Sequence, residues 1–404
     1  MPDKPPKALL LENVHPVATD LLERAGVEVE NRAGALDEAE LIAALDGVDL
    51  LGIRSKTQVT RKVIAAHPDL LAVGAFCIGT NQIAMQAASR AGLAVFNAPY
   101  SNTRSVVEMA VAEIIALTRR LTERDRSLHE GVWRKSATGS HEVRGRTLGI
   151  VGYGNIGSQL SVLAESLGMT VVFYDIAEKL ALGNARRCES LDELLAASDV
   201  VTAHVDGRPS NQGMFGPDEF AAMREGAVFI NLSRGHVVEL GALKGAIESG
   251  HLAGAAVDVF PTEPKSAGDP FVSELRGLPN VILTPHVGGS TEEAQENIGR
   301  FVAGKLRDYW KTGSSSMSCN LPSLTLDGGT FGDHRVAHLH HNRPGVLASI
   351  NAALADRGVN IVGQMLGTRD ELGYVITDVG TPANAEGLEY LASLDETIRL
   401  RVLY

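Results

Sequence analysis

Cysteine is scarce in this sequence, with three residues in 404, and the three lie far apart. Their number and spacing exclude a disulfide framework and a zinc-type cysteine cluster, so we expect reduced thiols. Long apolar runs are also missing, because no segment approaches the ~20 uncharged apolar residues of a membrane span. The chain begins Met-Pro-Asp-Lys-Pro-Pro, without the apolar core of a signal peptide, and we expect a cytoplasmic protein with no membrane partner.

Positive charge is in deficit as well. The chain has 37 lysines and arginines against 49 aspartates and glutamates, and a net charge of −12 argues against a general affinity for nucleic acid. The P-loop and the nucleophile elbow are absent from the sequence. His338, His340 and His341 lie close together, but no cysteine or acidic partner is near them in the sequence, so we expect no metal.

Glycine is abundant, with 42 residues, and it supplies the most informative motif of the chain. Gly152, Gly154 and Gly157 follow the short apolar run Thr147–Val151 in G-x-G-x-x-G spacing. This order predicts a buried strand, a tight turn and the start of a helix whose N-terminus faces the phosphates of a dinucleotide. Glycines also fall at this spacing by chance, so the motif needs support from the sequence that follows.

A complete βαβ unit supplies that support. Residues 158–167 have the pattern of an amphipathic helix, residues 169–174 that of a second buried strand, and Asp175 stands at its end. An acidic side chain about 20 residues beyond the first glycine binds the ribose hydroxyls of NAD and repels the additional phosphate of NADP. A lone aspartate after a strand is more often a turn or helix-cap residue. The glycine motif favours the NAD interpretation.

The rest of the chain alternates between short apolar runs and helical stretches, which is typical of α/β proteins with parallel sheets. Long helical patterns cover residues 105–129 and 290–310, and a small, polar, breaker-rich stretch at 311–320 indicates a linker. The order after the linker is βαββαβ, the ferredoxin-like arrangement. We predict two Rossmann-like or flavodoxin-like lobes and a small C-terminal domain, with these boundaries: a substrate-binding lobe at 1–101 completed by 290–312, a NAD-binding lobe at 102–289, a linker at 313–330 and the C-terminal domain at 331–404.

Polar residues at the strand ends of the second lobe suit a nicotinamide-dependent reaction. Hydride transfer from a hydroxyl carbon leaves a proton to be moved, and histidine is the usual base, so His286 is our candidate. A planar guanidinium holds a carboxylate in bidentate fashion, which points to Arg234. Glu263 would hydrogen-bond the other imidazole nitrogen and fix the tautomer. Each residue alone has an ordinary structural explanation, but together on one rim they indicate a catalytic set.

Motifs spread over nearly the whole chain resemble the D-2-hydroxyacid dehydrogenase family. They lie at residues 76–81, 96–105, 152–157, 233–235, 257–264 and 283–290. The resemblance implies a NAD-dependent dehydrogenase in which Arg234, Glu263 and His286 are catalytic. It also implies a set of cofactor contacts, which carry over onto Gly152, Gly154, Asn155, Ile156, Gly157, Asp175, Ser233, Arg234, Asp258, His286, Gly288 and Gly289.

Within the family, the chain resembles members that oxidise 3-phosphoglycerate to 3-phosphohydroxypyruvate, the first step of L-serine biosynthesis. That resemblance implies a homotetramer and a side activity that reduces 2-oxoglutarate. The substrate contacts that it implies are Arg54, Ser55, Lys56, Gly79 and Lys135.

The C-terminal domain resembles the serine-binding ACT domain that some of these enzymes carry. The similarity lies in residues 340–346 and 358–360, and it implies feedback inhibition by L-serine. The effector contacts would be His340, Asn342 and Asn360. We expect pairing of the first and second strands of the domain to bring these side chains together.

The sequence departs from the family pattern at two positions. Asp206 stands where many relatives have a proline near the adenine, and Ala33, next to Arg32, stands where a basic residue is expected near the substrate phosphate. Two other functions stay open at this point. One is another D-2-hydroxyacid dehydrogenase with an unphosphorylated substrate, and the other is a non-enzymatic NAD-sensing protein on the same fold.

Overall fold

The computed structural model describes residues 5–264, 268–327, 334–380 and 385–403. The end of the predicted linker and the start of the predicted C-terminal domain, at 328–333, lie outside these described residues. The chain divides into two compact units, Met1–Ser101 with Gln295–Tyr404 and Asn102–Ala294. Across the described ranges, none of the helices combines the length and the apolar character needed to span a membrane.

The first unit contains a parallel five-stranded sheet in the order β2-β1-β3-β4-β5. Its elements are β1 (Lys7–Leu10), α1 (Pro16–Arg24), β2 (Glu28–Asn31), α2 (Glu38–Ala44), β3 (Leu50–Ile53), α3 (Arg61–Ala66), β4 (Ala72–Ala75), α4 (Met85–Arg90) and β5 (Ala94–Asn97). The central strands are short apolar runs buried on both faces, as parallel sheets require. The sequence pattern did not predict β2, because this edge strand is largely exposed and carries charged residues.

Two helices replace the single helix predicted at 105–129. They are α5 (Thr103–Thr118) and α6 (Leu121–His129), and the long-helix prediction is wrong. Arg120 between them has φ of 54°, in the left-handed region that interrupts a right-handed helix. Its guanidinium binds the carboxylate of Glu123 at 3.0 Å, which holds the break in place.

The second unit is built on a parallel seven-stranded sheet in the order β12-β11-β10-β9-β6-β7-β8. Its further elements are β6 (Thr147–Val151), α7 (Asn155–Ser166), β7 (Thr170–Tyr174), β8 (Arg186–Arg187), α8 (Leu191–Ala197), β9 (Val200–Ala203), α9 (Pro217–Ala222), β10 (Ala227–Asn231), α10 (Leu240–Glu248), β11 (Leu252–Val257) and β12 (Val281–Leu283). The order reverses between β6 and β9. Ligands of such sheets bind outside the carboxyl ends of the strands at this point.

Helix α11 (Glu292–Thr312) returns the chain to the first unit. A Cβ atom on Gly74 of β4 would lie 2.6 Å from a methyl group of Val302 and 2.9 Å from one of Leu306. The helix therefore packs on the sheet at a position that only glycine leaves open.

The C-terminal domain has the predicted βαββαβ order. Its elements are β13 (His334–His341), α12 (Val346–Ala355), β14 (Ile361–Arg369), β15 (Leu372–Val379), α13 (Ala385–Ser393) and β16 (Thr397–Val402). The strands form an antiparallel sheet in the order β14-β15-β13-β16, so the ferredoxin-like prediction is confirmed.

One face of this antiparallel sheet shares a hydrophobic core with the first lobe. Leu339 and Tyr374 from the sheet are buried in one cluster with Phe96 and Tyr309. Polar contacts surround that core: the Tyr374 hydroxyl donates to the carbonyl of Gly313 at 2.7 Å. The C-terminal domain is thus packed against the lobe over a mixed apolar and polar surface.

The described part of the predicted linker is packed as well. Ser315 and Leu321 are fully buried. The side chain of Asn320 accepts from the backbone N–H of Val95 at 2.9 Å and donates to the carbonyl of Leu93 at 2.8 Å. Small residues let this segment lie close to β5, and its amide and hydroxyl groups replace the hydrogen bonds of an additional strand. The breaker-rich composition therefore marks an anchored segment here, while the predicted domain boundaries stay a prediction.

A buried ion pair gives a test of the C-terminal domain's stability. Arg335 and Asp378 form two hydrogen bonds of 2.6 and 2.7 Å, and their side chains are 3% and 4% exposed. Asp378→Ala should lower the free energy of unfolding by about 3–5 kcal/mol, because it removes the carboxylate that neutralises a buried guanidinium. Denaturant unfolding followed by circular dichroism measures this loss.

The exposed pair of Arg300 and Glu296, at 2.6 Å, serves as the control. Glu296→Ala should cost only about 0–1 kcal/mol, since water screens this pair. Equal losses in the two variants would show that burial does not set the strength of the Arg335–Asp378 pair.

Candidate active site

The residues proposed for catalysis follow neighbouring strands of the second sheet. Arg234 comes after β10, Glu263 after β11 and His286 after β12, and these three strands are adjacent and parallel. Their carboxyl ends therefore meet at one edge of the sheet. The glycine loop after β6 and Asp175 after β7 lie at the same edge.

The glycine loop has the geometry that a dinucleotide needs. Gly152 has φ of 94°, and a Cβ there would lie 2.6 Å from the carbonyl oxygen of His204. A Cβ on Gly157 would collide with the carbonyl of Gly152, whereas a Cβ on Gly154 would meet only open space. The outer glycines are thus required by packing, and the middle one leaves room for a ligand at the start of α7, where Asn155 and Ile156 lie.

Asp175 is fixed by backbone hydrogen bonds at the end of β7. Its carboxylate accepts from the N–H of Tyr153 at 2.8 Å and from the N–H of Ala177 at 2.9 Å. The first of these bonds ties the acidic residue to the glycine loop. The remaining lone pairs can accept from ribose hydroxyls, so the loop and the carboxylate fit a NAD molecule.

Asp206, one of the two departures from the family pattern, has a partner of its own. The guanidinium of Arg208 donates to its carboxylate at 2.7 and 2.5 Å. This hydrogen bonding lowers the pKa of Asp206. The charge of the aspartate is therefore matched locally.

Asp258 holds the loop that carries His286. Its carboxylate accepts from the N–H groups of Val287 at 2.8 Å and Gly288 at 2.9 Å and from the hydroxyl of Thr284 at 2.6 Å. Its carbonyl accepts from the N–H of His286 at 2.8 Å. His286 itself has φ of 55°, so the loop holds a non-glycine residue in the left-handed region.

The imidazole of His286 is paired with Glu263. Its Nδ1 lies 3.0 Å from each carboxylate oxygen, and the two side chains are 52% and 38% exposed. Because a carboxylate only accepts, Nδ1 carries a proton in this pair. In the described part of the chain Nε2 has no hydrogen-bond partner, which leaves it available as a base.

The loop of Arg234 is braced against the loop of Glu263. A Cβ on Gly235 would collide with the carbonyl of Phe260, and the N–H of Phe260 donates to Glu263 at 3.2 Å. The side chain of Asn231 accepts from the N–H and hydroxyl of Ser233 and donates to the carbonyl of Arg234. The structure therefore brings the two loops together.

Gly288 and Gly289 complete the predicted cofactor set. A Cβ on Gly288 would approach Asp258 Oδ2 at 3.0 Å, and a Cβ on Gly289 would collide with the amide of Asn102. Both positions favour glycine because neighbouring polar side chains pack directly on the backbone.

The predicted substrate residues of the first unit lie in two loops that one amide joins. Arg54, Ser55 and Lys56 follow β3, and Gly79 follows β4. The amide of Gln82 donates to the carbonyl of Arg54 at 2.6 Å and to that of Gly79 at 3.3 Å. At the second departure, Ala33, the neighbouring Arg32 pairs with Glu30 at 2.7 Å.

Lys135 lies in the second unit, in a cleft after α6. The lining includes Arg119, Arg124 and Trp133, whose indole is 79% exposed. His286 and Arg234 do not line this cleft.

The predicted effector residues do not meet within one chain. Strand β15 separates β13 from β14. His340 pairs with Gly373 at one end of the sheet, whereas Asn360 precedes Ile361 at the other end, level with His334. The separation along the sheet is about 20 Å at ~3.3 Å per residue. The expectation that pairing of the first two strands joins these side chains is wrong, because β14 pairs with β15 instead.

His340 nevertheless has an unsatisfied nitrogen. The residue is 3% exposed, its Nδ1 donates to the carbonyl of His341 at 2.8 Å, and burial lowers its pKa. Among the described residues its buried Nε2 has no partner. Asn342 follows β13 at the surface, where its amide donates to the carbonyl of Asp370 at 3.2 Å.

Sequence reasoning did not single out Glu113, a buried acid behind the Asp258 loop. It is 4% exposed, and within the described chain neither carboxyl oxygen has a hydrogen-bond partner. Burial, with the negative charge of Asp258, raises the pKa of Glu113 to about 8. The available signal was an acidic residue within the apolar stripe of α5.

Known proteins have similar sequences and folds. Residues 111–288 match the family described as D-isomer specific 2-hydroxyacid dehydrogenase, NAD binding domain, and residues 336–399 match the AHAS small subunit-like ACT domain. A D-3-phosphoglycerate dehydrogenase from Haemophilus influenzae is 50% identical over 399 residues, which cover 98% of this chain and 97% of the relative. One from Dictyostelium discoideum is 46% identical over 398 residues, with 98% and 97% covered.

The fold is also similar to that of a solved dehydrogenase structure that contains NAD. The D-isomer specific 2-hydroxyacid dehydrogenase from Lactobacillus delbrueckii ssp. bulgaricus, in its NAD-complexed form, has a TM-score of 0.66 at 25% identity and covers 75% of this chain and 96% of its own. The chain belongs to the D-isomer-specific 2-hydroxyacid dehydrogenase family, with D-3-phosphoglycerate dehydrogenases as its full-length relatives, and is a NAD-dependent oxidoreductase with a C-terminal ACT domain.

Proposed function

We propose that the chain oxidises 3-phospho-D-glycerate to 3-phosphohydroxypyruvate in the cytoplasm, as the first step of L-serine biosynthesis. The observation that carries this proposal is the His286–Glu263 pair, 3.0 Å apart, on a lobe whose glycine loop fits NAD. The names of relatives that match at about half of all positions over nearly the full chain support the choice of substrate.

The residues of the second unit divide the chemistry between them. Nε2 of His286 accepts the proton of the substrate hydroxyl, and Glu263 keeps Nδ1 protonated so that Nε2 has a free lone pair. Arg234 holds the substrate carboxylate and polarises the developing carbonyl. NAD, when bound, supplies the acceptor for the hydride. Gly154, Asn155, Ile156, Asp175, Ser233, Asp258, Gly288 and Gly289 would hold it.

The substrate phosphate requires cations, and the first unit offers them on one loop. We assign it to Arg54, Ser55 and Lys56, with a further contribution from Lys135, and we assign the backbone near Gly79 to the substrate carboxylate. A second carboxylate could replace the phosphate on the same cations. For this reason we include reduction of 2-oxoglutarate as a side activity.

An assay of NADH formation separates this function from its alternatives. The purified chain should turn over 3-phosphoglycerate far faster than glycerate. Turnover of glycerate alone would indicate a different hydroxyacid substrate. Tight NAD binding without any turnover would indicate a sensor, although the intact His286–Glu263 pair favours an enzyme.

We also propose that L-serine inhibits the enzyme and that the chain forms a homotetramer. His340 and Asn342 lie at one end of the ACT sheet and Asn360 at the other, so a serine site built from all three needs two copies of the domain. Strand β14 is an edge strand of that sheet, with Val362 58% and Leu366 39% exposed. Pairing of two such edges would place the His340 end of one copy beside the Asn360 end of the next.

His286→Ala should lower kcat by about 10²–10⁴-fold while the affinity for NAD changes little, since the variant loses only a positioned base. Steady-state kinetics and NAD titration by fluorescence measure the two quantities. His129 pairs with Asp125 on the exposed face of α6, and His129→Ala is the matched control with near-native kcat. Near-native turnover of the His286 variant would remove this residue from the mechanism.

Native enzyme should prefer NAD to NADP, because the Asp175 carboxylate accepts from a ribose diol and repels a 2′-phosphate. Asp175→Asn should reduce the ratio of kcat/KM for NAD over NADP by about tenfold or more, the usual effect of losing a charged acceptor. The exposed Asp192 of α8 provides the control Asp192→Asn, with an unchanged ratio. Equal use of both cofactors by the native enzyme would contradict the role of Asp175.

Activity should fall on addition of L-serine, with a coupling free energy of about 1–3 kcal/mol between effector and substrate. Asn342→Ala and Asn360→Ala should each weaken the inhibition and leave uninhibited turnover nearly unchanged. A mixture of the two variants should recover partial inhibition, because one of the two sites at each mixed interface retains both asparagines. Calorimetry that detects no serine binding to native enzyme, or binding without loss of rate, would leave the ACT domain with an assembly role only.

A further inference from the structure

The loop Arg54–Lys56 is held in place by a carboxylate from a neighbouring strand end. Glu12 follows β1, which pairs with β3 in the parallel sheet. One carboxylate oxygen accepts from the N–H of Lys56 at 3.0 Å, and the other accepts from the N–H of Thr57 at 2.8 Å. Glu12 is 8% exposed and Thr57 is fully buried, so water does not replace these bonds easily.

The backbone at Glu12 adds a second, independent observation. Glu12 and Asn13 have φ of 63° and 53°, two successive non-glycine residues in the left-handed region. Such conformations persist only where the surroundings enforce them, and they cluster at functional sites. Here the N–H of Glu12 donates to the carbonyl of Gly34 at 3.2 Å, and the N–H of Leu11 donates to that of Gly52 at 2.8 Å. The chain thus maintains an unfavourable turn that delivers the carboxylate to the loop.

A carboxylate is the side-chain group that suits two successive N–H donors. Each oxygen accepts one bond, and neither carries a hydrogen. A glutamine would accept one bond and set its own NH₂ group against the other N–H. The requirement for a negatively charged group is notable beside a loop that offers Arg54 and Lys56 to an anion, because it weakens the local positive potential. The benefit of the carboxylate therefore lies in the fixed geometry of the loop.

We propose that Glu12 is a positioning residue for recognition of the substrate phosphate, because its two hydrogen bonds fix the backbone from which Arg54, Ser55 and Lys56 project. This inference rests on the proposed function, in which that loop binds the phosphate. It deepens that function by naming the group that pre-organises the loop. Glu12 acts through the backbone of this loop and does not touch the reacting atoms.

The test compares Glu12→Gln with native enzyme in steady-state kinetics. We expect KM for 3-phosphoglycerate to rise about tenfold, the usual cost of a lost charged hydrogen bond with an unpaired donor left behind. KM for NAD and kcat should stay within about twofold, because the glycine loop and His286 belong to the other unit. Glu12→Asp retains the charge on a shorter stem and should give a smaller rise, which keeps the test valid if the glutamine variant folds poorly.

Asp37→Ala is the matched structural control in the same lobe. Asp37 caps α2 by accepting from the N–H of Glu40 at 2.9 Å, so its loss also removes a carboxylate-to-backbone bond. Both variants should lower the midpoint of thermal unfolding, and only the Glu12 variants should raise KM for 3-phosphoglycerate. A KM that is unchanged, or that rises equally in the Asp37 variant, overturns the positioning role.

A double variant tests the route through the loop. If Glu12 acts by holding this loop, then Glu12→Gln combined with Lys56→Ala should raise KM by clearly less than the product of the two single effects. Fully additive effects would overturn the inference. Native enzyme without activity on 3-phosphoglycerate would overturn the proposed function itself, and that outcome is visible before any variant is measured.

Discussion

The carboxylate of Asp258 fixes the loop that carries His286, on which the proposed chemistry depends. It accepts three hydrogen bonds from the stretch that runs from Thr284 to Gly288, and its own carbonyl accepts from His286. A flexible loop could not keep the backbone of His286 in the left-handed conformation. The contact between His286 and Glu263 therefore depends on this anchor. Glu113 lies behind it, and burial raises its pKa to about 8, which favours the protonated acid at neutral pH. A protonated Glu113 adds no second negative charge beside Asp258.

Much of this site could be predicted because its residues follow strand ends. Parallel strands place their carboxyl ends at one edge, so Arg234, Glu263 and His286 gather there once the order of strands and helices is known. The glycine loop was predictable for a related reason. Most of its requirements are local, since the positive φ at Gly152 and the close packing at Gly157 involve the adjoining strand, turn and helix. The contact of Gly152 with His204 is the distant one.

Features that depend on distant partners were harder to predict. Arg120 breaks the helix although the helical spacing of the sequence continues past this residue. Only the backbone conformation reveals the break. Strand order in the ACT domain decides where Asn360 lies, and the sequence gives the order of elements along the chain but not their order across the sheet. Glu12 was missed because its partners are backbone N–H groups 44 and 45 positions away, which leave no trace in side-chain pattern.

The shared core beneath the ACT sheet makes the C-terminal domain a poor candidate for excision. Phe96 and Tyr309 belong to the first lobe, yet they are buried in the same cluster as Leu339 and Tyr374 of the sheet. A protein shortened at the end of α11 would present these aromatic rings to water, together with the unpaired backbone of β5 that Asn320 now satisfies. Such a surface promotes self-association. The ACT domain and the lobe beneath it therefore depend on each other for solubility as well as for structure.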